Sequence, residues 1–314
     1  MLAVVGTVPD QDFPLITGKV VLQDDFISIQ GNRAPVNRGT PALLAAAIKV
    51  GEVMGQPPPV GYLVGDIGLG DGSRRLYARL SENSVEGDIN AIAFHYLQPD
   101  VDWHNRVLFA VEEMAKRPVL IADAGFMYAA KMSGQASEYD LFTPDVGELA
   151  FLADEEAPHP FYTRGFILHE EMRAPALIER AYQHENAAAG LLVKGQPDYV
   201  ADRQGVHTTI DLPVEKAMEA IGGTGDTVTG IVAALIGAGI DVREAAILAA
   251  RVNRLAGHYA RPTPATQVID IIEQISAALA RVLDEKAIMS GQGCFHIKKL
   301  GSCPVSEKGQ KNKG

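Results

Sequence analysis

The stretch EAIGGTGDTVTGIVAAL, residues 219–235, places an aspartate directly after a cluster of glycines and before a run of small and apolar residues. The start of a helix leaves backbone N–H groups unpaired and carries a partial positive charge of about +0.5. Phosphate oxygens satisfy both features where the backbone can be approached closely. Side chains at 222, 223 and 225 would obstruct that approach; the chain has Gly222, Gly223 and Gly225 there, and Thr224 adds a hydroxyl donor. Asp226 needs its own explanation, because a carboxylate repels phosphate. One reading is a general base that takes the proton from a hydroxyl as its oxygen attacks phosphorus. The other is structural: Asp226 caps the helix and the glycines form an ordinary tight turn. No lysine follows the last glycine, so this is not a Walker A loop.

Further chemistry-bearing residues stand beside strand-like runs. In FTPDVGELAFL, Asp145 and Glu148 are three residues apart at a helix start, hence on one face. Such a pair suits a hydrated Mg²⁺ that bridges to phosphates, or equally a favourable placement of negative charge in a first helical turn. LLVKG ends a buried strand with Lys194 and Gly195, and IADAG ends another with Asp123. Ligands of open α/β sheets sit at such carboxyl ends, although an exposed surface lysine would read the same way.

Apolar runs of strand length alternate with helical patterns, which predicts an α/β fold with a largely parallel sheet. GKVVLQDDFISIQGN reads as one or two strands, and TPALLAAAIKVGEVM as a helix with Pro41 in its first turn. VGYLVGDIG, NAIAFHYL, PVLIADAG and GLLVKG read as strands; SRRLYARL and VDWHNRVLFAVEEMAKR as helices. DYVADRQGVHTTI alternates around a glycine turn, as a hairpin at a sheet edge does. Two helices from Asp226 and Val242 close the core, and TQVIDIIEQISAALARVLDEK gives one last amphipathic helix. Thr227, Thr229 and Gly230 are small enough for close packing of the first of these. Residues 154–171, rich in proline and aromatics, read as a lid or an oligomer contact. The expected organisation is a single domain over 1–285 and a disordered polar tail over 286–314.

With 314 residues, 47% of them hydrophobic, the chain can bury a sizeable core. A net charge of −11 argues against nonspecific binding to nucleic acid or an anionic membrane. Cys294 and Cys303 both lie in the tail, so no disulfide framework holds the fold; with His296 they are too few for a metal site. MLAVVGTVPD has no basic region and too short an apolar run for a signal peptide, and no segment reaches membrane-spanning length, so a cytoplasmic protein is expected.

The order of the pieces GNRAPVNRGTPALLAAAIKVG, PVLIADAG, LFTPDVGELAFL, GLLVKGQPDYVAD, GGTGDTVTGIVAALIGAG and AAILAARVNRLAGHYA resembles the ribokinase-like superfamily over roughly residues 25–285. GGTGD is the superfamily's feature, and the TPxxGE pattern resembles its branch of ADP/ATP-dependent NAD(P)H-hydrate dehydratases. The resemblance implies a three-layer α/β sandwich, ATP or ADP with Mg²⁺ as cofactors, a small-molecule substrate and a homo-oligomer. It also implies an anion hole at Gly222, Gly223, Thr224 and Gly225 with Asp226 as base. Thr143, Asp145 and Glu148 would line the phosphate or magnesium side, with Asp145 and Glu148 as metal ligands through water. Lys194, Gly195, Asn253 and Gly257 would face the nucleotide, and Asn37, Gly39, Asp123 and Thr143 the substrate side.

Three stretches depart from the family pattern. Asp145 stands where a histidine is usual, HYLQPD where GPGLG is usual, and LPVEKAMEA where a TGNxGMA-like run is usual. The resemblance therefore implies phosphoryl transfer to a hydroxyl, in hydrate repair or in a sugar or vitamin-precursor kinase; a silent nucleotide-binding protein is the third reading.

Overall fold

Strands buried on both faces must be apolar throughout, and such runs build the middle of this molecule. The computed structural model describes residues 1–82, 85, 87–160, 163 and 174–289. Its main sheet has nine strands: β1 (Leu2–Val8), β2 (Ile16–Lys19), β6 (Val60–Gly65), β7 (Ala91–His95), β8 (Val119–Ala122), β9 (Leu141–Phe142), β10 (Gly190–Val193), β11 (Asp198–Asp202) and β12 (Gly205–Ile210). The spatial order is β12-β11-β10-β9-β8-β7-β1-β6-β2. The six strands from β10 to β6 run parallel, and antiparallel strands finish both sides. The expected hairpin is β11–β12, and it forms one edge.

Helices cover both faces. Against one lie α1 (Gly39–Met54), α7 (Thr224–Gly237), α8 (Val242–Ala260), α9 (Val268–Ile272) and α10 (Ile275–Met289). Against the other lie α2 (Asp71–Glu82), α3 (Val101–Glu112), α4 (Ala124–Met132), α5 (Val146–Ala153) and α6 (Ala174–Gln183). Alternate residues of one strand feed the two cores, Val4 and Val8 into the first and Ala3 and Val5 into the second. This is the three-layer sandwich that the sequence led us to expect.

Some elements differ from expectation. Leu2–Val8, read only for targeting signals, is a central strand paired to both β6 and β7. The early segment GKVVLQDDFISIQGN, read as one or two strands, yields with its flanks β2 and also a separate antiparallel sheet of β3 (Val21–Gln23), β4 (Phe26–Ile29) and β5 (Asn32–Pro35). Gln30 and Gly31, at φ 47° and 86°, make the two-residue turn that closes its second hairpin. The last predicted helix is divided into α9 and α10. Buried Val268, Ile271, Ile272, Ile275, Leu279 and Val282 keep helical spacing through the division, so the apolar period carries no sign of it. Helix α10 continues past residue 285 to Met289; the rest of the tail, and most of residues 154–171, read as a lid or an oligomer contact, lie outside the described residues.

Gly230 sets how close α1 and α7 come. A Cβ there would stand 2.1 Å from the Leu43 carbonyl oxygen, which is backbone and cannot swing aside. Gly230→Ala is expected to cost about 1–3 kcal/mol, measured by urea denaturation; a loss too small to resolve would show that the helices separate freely.

Candidate active site

Four neighbouring strands deliver polar side chains to one end of the sheet. His95 ends β7, Asp123 follows β8, Thr143 follows β9 and Lys194 follows β10. Helix α7 brings its amino end to the same place. It starts at Thr224, two residues earlier than expected, and its cap is Gly223 at φ 96°, with no side-chain capping bond. Asp226 is thus the third residue of the helix and not its cap, which removes the structural alternative in its simple form. Among the described residues no acceptor is found for the N–H groups of Thr224, Gly225 and Asp226.

The glycine turn is flanked by two cations. A Cβ on Gly222 would lie 4.0 Å from the Arg38 side chain, and one on Gly225 3.7 Å from that of Lys194. Gly223 is needed for another reason besides its φ. A Cβ there would come within 3.1 Å of Arg38 Cα and 3.3 Å of the Asn37 carbonyl, so the turn is pressed against the backbone that leads into α1.

Asp226 is only 7% exposed, yet its carboxylate is well supplied with donors. The Gly39 N–H donates to Oδ2 at 2.5 Å, and His95 Nε2 lies 3.2 Å from Oδ1. Burial pushes the carboxyl pKa up, but the hydrogen bond and charge of His95, the Lys194 ammonium and the Gly39 amide together bring it below the ordinary value. His95 and Thr40, whose Oγ1 is 3.0 Å from His95 Nδ1, were missed in the sequence because contacts across 131 and 55 residues leave no local signal.

Lys194 donates to both oxygens of Asp123, at 3.0 and 2.9 Å. Burial works against the Lys194 ammonium; Asp123 first and then Glu148 outweigh it and raise its pKa. Thr229 Oγ1 donates to Asp123 Oδ2 at 2.6 Å and lies 3.1 Å from Thr143 Oγ1. Asp123 and Thr143, expected on the substrate side, are buried beneath the site rather than lining either cleft; Asp123 holds Lys194, and Thr143 reaches this pair only through Thr229.

Two clefts open at this end. A cavity of about 310 Å³ is lined by residues that include Asp145, Lys194, Gly195, Thr224, Gly225 and Asn253. Another of about 450 Å³ is lined by residues that include Thr7, Arg38, Gly39, Asp66, Ile67 and Tyr96. Asp226 reaches the second through Gly39, while its neighbours Thr224 and Gly225 belong to the first. A cavity of about 360 Å³ at the amino ends of β9 and β10 contains none of these groups, so chemistry rather than size selects the site.

The other expected nucleotide-side residues take more specific places. Asn253 accepts from Thr227 Oγ1 at 2.6 Å and donates to the Thr224 carbonyl at 3.3 Å, steadying the turn while lining the first cleft. Gly257 does not line the cleft; a Cβ there would meet the Met218 sulfur at 2.0 Å, and Met218 is the cleft wall. Arg254, not singled out from sequence, pairs with Asp198 at 2.7 Å and donates to the Gly195 carbonyl at 2.8 Å, and Asp198 accepts from the Gly195 N–H. Asn37 is exposed.

Asp145 caps α5, accepting from the Glu148 N–H at 2.8 Å while Glu148 accepts from the Asp145 N–H at 2.8 Å. Tyr128 also donates to Glu148 at 3.0 Å. Burial, with the charges of Asp123 and Asp145 and against that of Lys194, lifts the Glu148 carboxyl to about 7. Among the described residues no cluster of three or more His, Cys, Asp or Glu could cage a metal. Asp145 lines the first cleft, with Glu148 three residues on in the same helical turn; a carboxylate so placed fits an ion bound mainly by water and phosphate, which is how Mg²⁺ is commonly held.

The wall of the second cleft rests on Asp66. Its carboxylate accepts from the N–H groups of Gly68, Gly70 and Ser73 at 2.8–3.1 Å and from the Ser73 hydroxyl at 2.8 Å. Ile67 and Leu69 are left 54% and 66% exposed on the loop so formed. Burial opposes the Asp66 charge, and these hydrogen bonds bring its pKa below 3.8 all the same. Asp66→Ala is expected to lose about 1–3 kcal/mol, since three amides lose their acceptor. The depressed pKa means this stabilisation is present above 3.8 and is lost as pH falls through the folded-state value, so the gap from wild type should close in acid. Denaturation curves at neutral and acid pH would test it, and a gap that widened in acid would reverse the assignment.

Among the described residues no helix is long and apolar enough to cross a membrane. An uncharacterized protein of Methanocaldococcus jannaschii is 40% identical over 242 residues, 77% of this chain and 100% of that protein. A bifunctional NAD(P)H-hydrate repair enzyme of Pyrobaculum aerophilum is 30% identical over 170 residues, 54% of this chain and only 31% of the enzyme's length. A ribokinase-like superfamily protein of Enterococcus faecalis shares the fold, with a TM-score of 0.51 at 13% identity over 89% of this chain and 86% of that one. Residues 98–277, more than half the chain and including the glycine turn, Asp226 and Lys194, match the NAD(P)H-hydrate dehydratase family, and the chain belongs to that carbohydrate-kinase-like family.

Proposed function

We propose that the protein is a nucleotide-dependent enzyme that phosphorylates a substrate hydroxyl, acting as an ADP/ATP-dependent NAD(P)H-hydrate dehydratase. The observation that carries this reading is the place of Asp226: third residue of α7, among unpaired amides, with its carboxylate held low in pKa beside the second cleft. As the hydroxyl oxygen bonds to phosphorus, Asp226 takes its proton, and the bond to the departing nucleotide phosphate breaks with its electrons staying on that phosphate. On a hydrated nicotinamide ring, expulsion of the new phosphate with loss of a neighbouring proton restores the double bond. The amides at the start of α7, with Lys194 and Arg38, lie where negative charge would collect. Magnesium held through water by Asp145 and Glu148 would neutralise phosphate charge. Incubation with hydrated NADPH, Mg²⁺ and ADP or ATP should restore the absorbance of intact NADPH; no recovery with either nucleotide ends this reading.

A second reading is a sugar or vitamin-precursor kinase. It is favoured by one observation: Thr7, Arg38, Gly39, Asp66, Ile67 and Tyr96 of the second cleft all precede residue 98, outside the segment that matches the family. Nucleotide turnover stimulated by one acceptor from a panel, with no hydrate recovery, would select it. If nucleotide binds but neither hydrate recovery nor acceptor-stimulated turnover is seen, a silent nucleotide-binding protein is left. Adenine nucleotide and a small acceptor are the partners under all but that last reading. The net charge of −11 argues against nonspecific binding to nucleic acid or an anionic membrane; a cytoplasmic location is testable by cell fractionation and a homo-oligomer by light scattering.

A further inference from the structure

His95 is fully buried at the end of β7 and lines neither cleft. Its Nε2 faces two carboxylates, Asp226 Oδ1 at 3.2 Å and Asp123 Oδ2 at 3.7 Å. Ionised carboxylate oxygens only accept, so Nε2 carries a hydrogen. Nδ1 meets the Thr40 hydroxyl, which can donate to it or accept from it. Thr40 directly follows Gly39, whose N–H holds the other oxygen of Asp226. The start of α1 thus grips the base twice, directly through Gly39 and indirectly through Thr40 and the imidazole.

The surroundings are shaped to admit this arrangement. A Cβ at Gly6, in the adjacent β1, would lie 2.6 Å from Thr40 Oγ1 and 2.8 Å from the His95 carbonyl, so only glycine leaves room. Tyr96 packs edge-on against the imidazole at 4.4 Å between ring centroids, and holds a left-handed φ of 54° to do so. Asp226 from α7, Asp123 before α4, Lys194 after β10, Glu148 of α5 and the Tyr96 hydroxyl make up the charged and titratable groups around the imidazole. Lys194 pairs closely with only one of these two carboxylates, Asp123, and a ring N–H directed at both offsets the excess negative charge.

We propose that His95, held by Thr40, is a positioning residue for Asp226: it fixes the orientation of the carboxylate and keeps it ionised until the acceptor hydroxyl arrives. The inference rests on Asp226 being the base. It places the partner of that base 131 residues away, before the segment that matches the family.

The test compares His95→Ala and His95→Gln with wild type and Asp226→Asn, using hydrated NADPH, nucleotide and magnesium. His95→Ala should lower kcat about ten- to a hundredfold with little change in the KM for nucleotide, as misorientation of a reacting group does. Its kcat should also need higher pH at the acid limb, because Asp226 has lost a donor that favours its charged form. His95→Gln, which keeps a side-chain N–H, should regain part of kcat. Independently of turnover, proton NMR of the wild type should show a downfield ring N–H signal that disappears in His95→Gln and moves in Asp226→Asn. A folded His95→Ala with normal kcat and an unmoved acid limb overturns the proposal if Asp226→Asn is inactive. Full turnover by Asp226→Asn would instead bring down the base itself. Should His95→Ala fail to fold, His95→Gln and the NMR signal decide: wild-type turnover and pH profile in the former, or no movement in the latter, overturns it.

Discussion

Asp226→Asn should bind adenine nucleotide much as the wild type does and turn over about a hundred to ten thousand times more slowly. Asparagine keeps the shape and one acceptor oxygen, so the Gly39 contact can survive. What it loses is the capacity to take a proton and the charge that faces His95. The amides of Thr224 and Gly225 are untouched, which is why binding should hold. Calorimetry for nucleotide and single-turnover kinetics separate the two effects. Equal losses in binding and turnover would mean that Asp226 supports the loop and does no chemistry; unchanged turnover would remove it from the mechanism.

The largest stability effect is expected at Lys194. Its ammonium pairs with both oxygens of Asp123, and the two side chains are only 12% and 2% exposed. Lys194→Met leaves Asp123 with Thr229 and the Ala124 amide but without a close cation, a loss of about 3–5 kcal/mol when one member of a buried pair is removed. Adding Asp123→Asn should recover much of it, because a neutral amide no longer needs the charge. Urea denaturation of the two single variants and the double variant closes the cycle. Additive losses would show that the two groups do not interact. Lys194→Met should also weaken nucleotide binding, since Lys194 borders both the glycine turn and the first cleft.

Much of the architecture could be read from the chain because local rules dictate it. PVLIADAG and GLLVKG are apolar enough to be buried on both faces, and they are. GGTGD is readable because only bare backbone satisfies a positive φ at Gly223 together with its close approach to Arg38. The departures have equally definite causes. MLAVVGTV carries no periodic signal that separates a central strand from any other apolar run, so β1 was overlooked. Asp145 and Glu148 were correctly placed at a helix start, yet spacing alone could not show that each caps the other's backbone. Asp123 and Thr143 stand at strand ends as expected. Whether such a residue points into a cleft or beneath it depends on Lys194 and Thr229, which arrive from distant segments. His95 is the extreme case, since NAIAFHYL reads as a strand and nothing in it foretells a carboxylate from α7.

The two cavities draw on different parts of the chain. The walls of the first come from residues 145–254, and those of the second from residues 7–98, with α7 standing where they meet. Under the proposed reading, the choice of what is modified and the supply of energy for modifying it are separately encoded along the polypeptide. Grafting a new acceptor preference would then need changes at the front of the gene alone, and the phosphate-handling half could be left as it stands.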